Sequence, residues 1–229
     1  MTRTVIISAL ALNLAATIPA AAEEMPRTLL GVDVSGTSTF LVDRTSANAA
    51  GSYVEKYISG LDHPHELTMI SVGDAGLARR LIEIRAMITA RRASSARRVA
   101  PQFGGYFRSL PDHVKRGTIS PQNTTSLIDF FHSLEPFCKA GNATAILFSD
   151  GLEWSATVDG RAFAAGKIGL PKPSTAFLEG CEVRLLGVGQ VKSEMESGGL
   201  ATRLVPQWRD YLRAAGADPV VVVGSGFSY

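Results

Sequence analysis

Short apolar segments alternate with amphipathic ones along most of the chain after residue 27. Each apolar segment has the length of a buried strand and is bounded by glycine, proline or small polar residues. Where charged residues are absent from such a segment, both of its faces are expected to be covered. The strands predicted in this way span residues 28–33, 67–72, 143–148, 183–188 and 219–223.

The amphipathic segments between these strands carry apolar residues at helical spacing. They predict helices over residues 46–59, 126–137 and 204–215. Residues 81–88 instead alternate charged and apolar side chains, which favours an edge strand, with a helix as a nearly equal alternative. The pattern is weaker and strongly basic over residues 90–115, where we predict no element.

Strands that are apolar on both faces and separated by helices indicate one α/β domain. The predicted architecture is a mostly parallel sheet with helices on both faces and right-handed crossovers. Ligands bind outside the carboxyl ends of the strands in such sheets. The residues that directly follow Asp33, Val72, Phe148 and Val188 are therefore expected to form the functional rim.

The first 22 residues have the composition of a cleavable secretory signal. A basic start at Arg3 precedes an apolar stretch from Val5 to Ile18, and small residues then lead to Ala22. A permanent membrane anchor is the alternative, but the apolar stretch is shorter than the roughly 20 residues that a span needs. We predict a signal peptide over residues 1–22, a single domain over residues 23–229, and a periplasmic or secreted protein without a stable membrane anchor.

Charge and cysteine content narrow the picture further. The net charge is +2, which gives no overall field for nucleic acid. The two cysteines, Cys138 and Cys181, are more consistent with a disulfide than with free thiols in an oxidising compartment. They make a poor zinc site because the chain has no third cysteine.

Acidic and hydroxyl side chains cluster at two of the predicted strand ends. Asp33, Ser35 and Thr37 follow the first strand, Asp150 follows the strand over 143–148, and a polar loop over 117–126 lies between them in sequence. A hard cation such as Mg²⁺ takes oxygen ligands and needs only one or two carboxylates. The sequence therefore predicts a divalent-cation site at this rim.

The same residues resemble those of von Willebrand factor A-type domains. The Asp-x-Ser-x-Thr sequence at Asp33 is similar to the first motif of that family, and the Ser-Asp-Gly step at Asp150 is similar to its Thr-Asp-Gly strand end. The resemblance covers about residues 28–223, although residues 79–115 do not follow the family pattern. It implies a three-layer, Rossmann-like fold. A mostly parallel sheet with one antiparallel edge strand forms the middle layer, and helices cover both of its faces.

The resemblance also implies a metal-ion-dependent adhesion site. Its ligands would be Asp33, Ser35, Thr37, Thr125 and Asp150, with Thr124 as the alternative loop ligand. Mg²⁺ is the favoured ion, and Mn²⁺ and Ca²⁺ are alternatives. The function implied is capture of an aspartate or glutamate from an envelope or secreted partner protein, without catalysis.

Other interpretations of these residues stay open. Asp33 could cap the turn that follows it, with Ser35 and Thr37 bonded to loop backbone. A metal-assisted phosphohydrolase would use a similar sheet, but its second acid would fall at Ser35, which cannot serve as the general acid–base group. A metal-independent interaction domain would instead use the arginines of residues 79–98. The predicted partner contacts are Trp154, Glu153, Arg91 and Arg92, and no catalytic residue is predicted.

Overall fold

A six-stranded sheet forms the middle layer of the computed structural model, which describes residues 24–74, 81–191 and 199–225. The strand order is β3-β2-β1-β4-β5-β6, and only β3 is antiparallel to its neighbour. The strands are β1 (Arg27–Asp33), β2 (His65–Val72), β3 (Glu83–Ile88), β4 (Ala143–Phe148), β5 (Cys181–Leu186) and β6 (Val220–Val223).

This topology confirms the predicted fold class. All five apolar segments form parallel strands, and residues 81–88 contain the antiparallel edge strand rather than the alternative helix. The strand predicted over 183–188 lies slightly earlier, as β5 ends at Leu186. The predicted signal peptide lies outside the described residues, as do Arg79 and Arg80.

Seven helices surround the sheet in the described part of the chain. They are α1 (Thr39–Val42), α2 (Arg44–Ser59), α3 (Ala96–Lys115), α4 (Leu127–Ser133), α5 (Glu135–Lys139), α6 (Gly160–Ala164) and α7 (Leu200–Ala214). One buried cluster of apolar side chains joins α1, α2 and α3 to one face of the sheet, and another joins α4, α5 and α7 to the opposite face. No helix in these ranges is long and apolar enough to cross a membrane.

The helix predicted over residues 126–137 is divided in two. Helix α4 ends at Ser133, and α5 begins at Glu135 with Pro136 in its first turn. Proline has no backbone N–H to donate to the preceding turn, so it fits the start of a helix better than its interior. A single helix over this segment was therefore wrong.

Helix α3 occupies the basic segment for which the sequence predicts no element. It contains Pro101, Gly104 and Pro111, all weak helix formers. Its buried face nevertheless carries Phe103 and Phe107 against α2 and the sheet. Tertiary packing of this face overrides the local preferences.

Gly104 lets α3 approach α2 closely, and replacing it should destabilise the domain. A Cβ atom at Gly104 would lie 2.7 Å from the backbone oxygen of Gly51, whereas a Cβ at Gly105 would have no neighbour within 4 Å. We expect Gly104→Ala to lower the free energy of unfolding by about 1–3 kcal/mol through overpacking. The matched variant Gly105→Ala should raise it by about 0.5–1 kcal/mol. Urea denaturation measures both, and equal effects would contradict the close helix contact.

A disulfide joins Cys138 in α5 to Cys181 at the start of β5, with a sulfur–sulfur distance of 2.01 Å. Both cysteines are completely buried. The predicted pairing is confirmed. Because Cys181 pairs with Ala143, the first residue of β4, the bond lies at the amino edge of the sheet.

Candidate metal centre

The loop that follows β1 is bonded directly to the polar loop before α4. Gly36 N donates to Gln122 O at 2.8 Å, and Gln122 N donates to Val34 O at 2.8 Å. These two bonds place the segment that carries Thr125 beside the segment that carries Ser35 and Thr37. Residues separated by about ninety positions in the chain therefore meet at the carboxyl edge of the sheet.

Asp33 is fully buried at the point where three loops converge. Its Oδ1 accepts from Ser35 N at 2.8 Å and from Thr125 Oγ1 at 3.3 Å. Its Oδ2 accepts from Ser149 Oγ at 2.6 Å. Burial raises the pKa of Asp33, and these hydrogen bonds oppose that rise. The turn-capping role considered from the sequence is thus present, together with two longer-range contacts.

Asp150 lies beside Asp33 because β1 and β4 are parallel neighbours and Val32 pairs with Phe148. It is fully buried, and its Oδ1 accepts from Leu152 N at 2.9 Å. Among the described residues, no hydrogen-bond partner is found for its Oδ2. Burial, and then the charge of Asp33, raise the pKa of Asp150 to about 7, while the Thr37 hydroxyl and the Leu152 amide oppose the rise.

Hydroxyl groups complete the surroundings of the two carboxylates. Ser35 Oγ and Thr37 Oγ1 are 3.1 Å apart, and Ser35 and Thr125 are buried. Thr125, rather than Thr124, contacts Asp33. We call Asp33, Ser35, Thr37, Thr125 and Asp150 the candidate metal centre.

The donor chemistry of this centre fits a hard divalent cation. Its side-chain donors are all oxygen atoms, and two of its five members are carboxylates. Across the three described ranges, no group of three or more histidine, cysteine, aspartate or glutamate side chains is placed to hold a metal ion. A zinc-type cluster is therefore not seen there, and the centre matches the oxygen ligation that Mg²⁺ and Ca²⁺ prefer.

Ser149 is a contributor that the sequence did not single out. Its hydroxyl donates to Asp33 and accepts from Gly151 N at 3.0 Å, so it bridges the ends of β1 and β4. The signal available was its position next to Asp150 at a strand end. From the opposite side, Trp208 Nε1 in α7 donates to Gly151 O at 2.7 Å, which fixes the same turn.

Glu153 was predicted as a partner contact, and the structure corrects this. Its side chain is 0% exposed, so no partner can reach it. Its Oε2 accepts from Leu127 N at 2.7 Å and from Ile128 N at 3.1 Å at the start of α4. Burial raises the pKa of Glu153 to about 7. Glu153 thus fixes the helix start that lies two residues beyond Thr125.

The other three predicted partner contacts are exposed but lie in two places. Trp154 is 41% exposed and lines a cleft of about 240 Å³ beside Ser35, Thr37 and Thr125. Arg91 and Arg92 follow β3, which is antiparallel and ends where Ile88 pairs with His65, the first residue of β2. These arginines therefore lie at the opposite edge of the sheet from the candidate metal centre.

Comparison with known proteins adds distant structural similarity only. No protein-family model matches the chain, and no curated protein matches it. An aerotolerance-related membrane protein from Bacteroides fragilis is similar at 14% identity and a TM-score of 0.45, over 88% of this chain and 92% of that one. A von Willebrand factor type A structure from Catenulispora acidiphila is similar at 14% identity and a TM-score of 0.45, over 87% and 39% of the two chains. Manganese-loaded TRAP protein from Plasmodium vivax is similar at 14% identity and a TM-score of 0.39, over 78% of this chain and 63% of that one. Scores of this size carry no argument about the function of this chain.

Proposed function

We propose that this chain is an exported protein-interaction module that captures a carboxylate of a partner protein at a divalent cation. Asp33, Ser35, Thr37, Thr125 and Asp150 would hold the ion, with Mg²⁺ favoured over Mn²⁺ and Ca²⁺. When bound, the ion supplies the positive charge that attracts an aspartate or glutamate side chain. The partner is an envelope or secreted protein.

The observation that carries this proposal is the buried Oδ2 of Asp150, for which the described residues supply no hydrogen-bond partner. A buried carboxylate oxygen without a hydrogen bond is costly, and a second buried carboxylate beside it adds repulsion. Such an arrangement is relieved by protonation or by a cation. The hydroxyls of Ser35, Thr37 and Thr125 face the same region and offer neutral oxygen ligands, which suits a cation better than a proton.

Export is supported by the disulfide and by the first 22 residues. Disulfides persist in oxidising compartments and are rare in the cytosol. The cysteine pair is buried and bonded, and the sequence of residues 1–22 has the features of a secretory signal. We therefore propose a periplasmic or secreted location.

The phosphohydrolase alternative lacks an acid two residues after Asp33, where such an enzyme would carry its general acid–base group. Ser35 occupies the position of the second acid, and the buried Glu153 is engaged with the amides that begin α4. Turnover of generic phosphoesters with Mg²⁺ that disappears in Asp33→Asn would revive this alternative.

Thermal unfolding of the mature domain tests the proposal. Samples in EDTA are compared with samples in Mg²⁺, Mn²⁺ or Ca²⁺, because an ion that binds only the folded state raises its apparent stability. We expect at least one ion to raise the unfolding temperature. An identical unfolding temperature in all conditions, including excess Mn²⁺, would count against a metal-dependent module.

The metal-free domain should lose stability as the pH rises. The folded-state pKa of Asp150 is about 7, above its ordinary value of 3.8, so the stabilising proton is fully bound at low pH and is lost as the pH rises through about 7. Glu153 gives the same trend. We expect Asp150→Asn to weaken this pH dependence and to make the domain more stable than the parent in EDTA at pH 8.

Metal binding should show the opposite pH trend in the parent, because the ion competes with the proton on Asp150. Unfolding scans at pH 5.5 and pH 8 in EDTA and in Mg²⁺ measure both trends. A metal-dependent rise in unfolding temperature that is larger at pH 5.5 than at pH 8 would contradict the assignment of Asp150 as a metal ligand.

A further inference from the structure

We propose that the cleft beside the candidate metal centre contains a second acidic subsite formed by Arg161 and Trp154. The partner segment would carry two acidic side chains close together in sequence, one for the metal ion and the other for Arg161. This inference rests on the proposed function, and it adds the chemistry of the partner to it.

The cleft connects the two subsites physically. Its volume is about 240 Å³, and the residues that line it include Ser35, Thr37 and Thr125 of the candidate metal centre together with Trp154, Gly160 and Arg161. An extended peptide places alternate side chains about 7 Å apart on one face. We therefore choose two acids separated by one residue as the partner segment that would reach both ends of the cleft.

The charge of the cleft favours an acidic occupant. Arg161 is the only charged side chain among the described residues that line it. In the described part of the chain, none of the ion pairs includes Arg161. Its guanidinium is thus available to a carboxylate, which it can bind with two parallel hydrogen bonds.

Trp154 is held in place as a platform for this subsite. Its backbone N donates to Thr125 O at 2.9 Å, which ties it to the loop of the candidate metal centre. Its ring lies against Gly160, where an added Cβ atom would come within 2.8 Å of the ring carbons. The guanidinium carbon of Arg161 lies 6.0 Å from the ring centre. Stacking leaves the edge of the guanidinium free to donate hydrogen bonds.

Fluorescence provides a direct readout of the cleft. The chain has two tryptophans, and Trp208 is completely buried whereas Trp154 is 41% exposed. Changes in acrylamide quenching on peptide addition therefore report on Trp154, and the variant Trp154→Phe identifies that signal. The probes are the blocked peptides Gly-Asp-Gly-Asp-Gly and Gly-Asp-Gly-Asn-Gly, added to the mature domain in Mg²⁺ or in EDTA.

We expect the peptide with two acids to bind about threefold to tenfold more tightly than the peptide with one acid in Mg²⁺. In Arg161→Gln this difference should fall below twofold, while Arg161→Lys should retain part of it. Arg161→Gln should keep the full metal-dependent rise in unfolding temperature, because Arg161 is not part of the candidate metal centre.

A second variant tests the platform without changing any charge. Gly160→Ala is expected to displace the Trp154 ring and to reduce the advantage of the two-acid peptide. Gly105→Ala is the matched control, since its added Cβ meets no atom within 4 Å, and it should leave peptide binding unchanged.

The outcomes separate this inference from the proposed function. Equal, metal-dependent binding of the two peptides by the parent would overturn the second subsite and leave the metal-dependent module intact. An undiminished advantage of the two-acid peptide in Arg161→Gln would also overturn it. If no metal raised the unfolding temperature and neither peptide bound, the proposed function would fail, and this inference with it.

Discussion

Asp33→Ala is expected to abolish the metal-dependent rise in unfolding temperature. In the parent, an ion at about 100 times its dissociation constant should stabilise the folded state by about 2.7 kcal/mol. Asp33 joins the loops that carry Ser35, Thr125 and Ser149, so its loss removes a proposed ligand and also loosens the positions of the others. Thermal unfolding in EDTA and in Mg²⁺ measures the difference.

The two carboxylates should behave differently when the metal is absent. Asp33→Ala leaves three donors without their acceptor, and each buried orphan costs about 1–3 kcal/mol, so the variant should be less stable than the parent in EDTA. Asp150→Asn removes a buried negative charge, and Asp150 Oδ2 has no hydrogen-bond partner among the described residues. This variant should therefore not be less stable than the parent in EDTA. A metal-dependent rise of parental size in either variant would contradict the assigned centre.

Loss of the disulfide is expected to cost about 4 kcal/mol of unfolding free energy. The two cysteines are 43 residues apart, and a bond that closes such a loop restricts the unfolded chain by about that amount in the loop-entropy model. The double variant Cys138→Ala/Cys181→Ala removes the bond and introduces no polar group into the core. Urea denaturation of the parent, the reduced parent and the double variant gives the comparison.

The same variant serves as a control for the candidate metal centre. The disulfide lies at the amino edge of the sheet, and Asp33 and Asp150 lie at the carboxyl edge. We therefore expect the double variant to keep a metal-dependent rise in unfolding temperature despite its lower stability.

A decrease in the free energy of unfolding of less than about 1 kcal/mol in the double variant would contradict the stabilising role given to the disulfide.

The central sheet was predictable because parallel strands covered on both faces are continuous apolar segments. Helix α3 was not, since Pro101, Gly104 and Pro111 weaken the helical pattern locally. Its stability depends on the close approach of Gly104 to Gly51 in α2, a contact between distant parts of the chain. Local sequence carries no signal for such a contact.

The candidate metal centre was predictable for a related reason. Asp33 and Asp150 follow neighbouring parallel strands, and the ends of such strands meet at one edge. The tertiary position of side chains in the nearby loops was not predictable. Glu153 was expected at the surface and is buried, and Arg161 was not singled out because its position depends on how the Trp154 ring packs on Gly160.

The most direct test of the central claim is a titration of the metal-free mature domain with Mn²⁺, followed by electron paramagnetic resonance of the free ion. The arrangement of Asp33 and Asp150 predicts one bound Mn²⁺ per chain that excess Mg²⁺ displaces. Binding should be lost in Asp33→Ala and retained in Arg161→Gln. If the parent bound no Mn²⁺, or if Asp33→Ala bound it as the parent does, this rim would not be a metal centre.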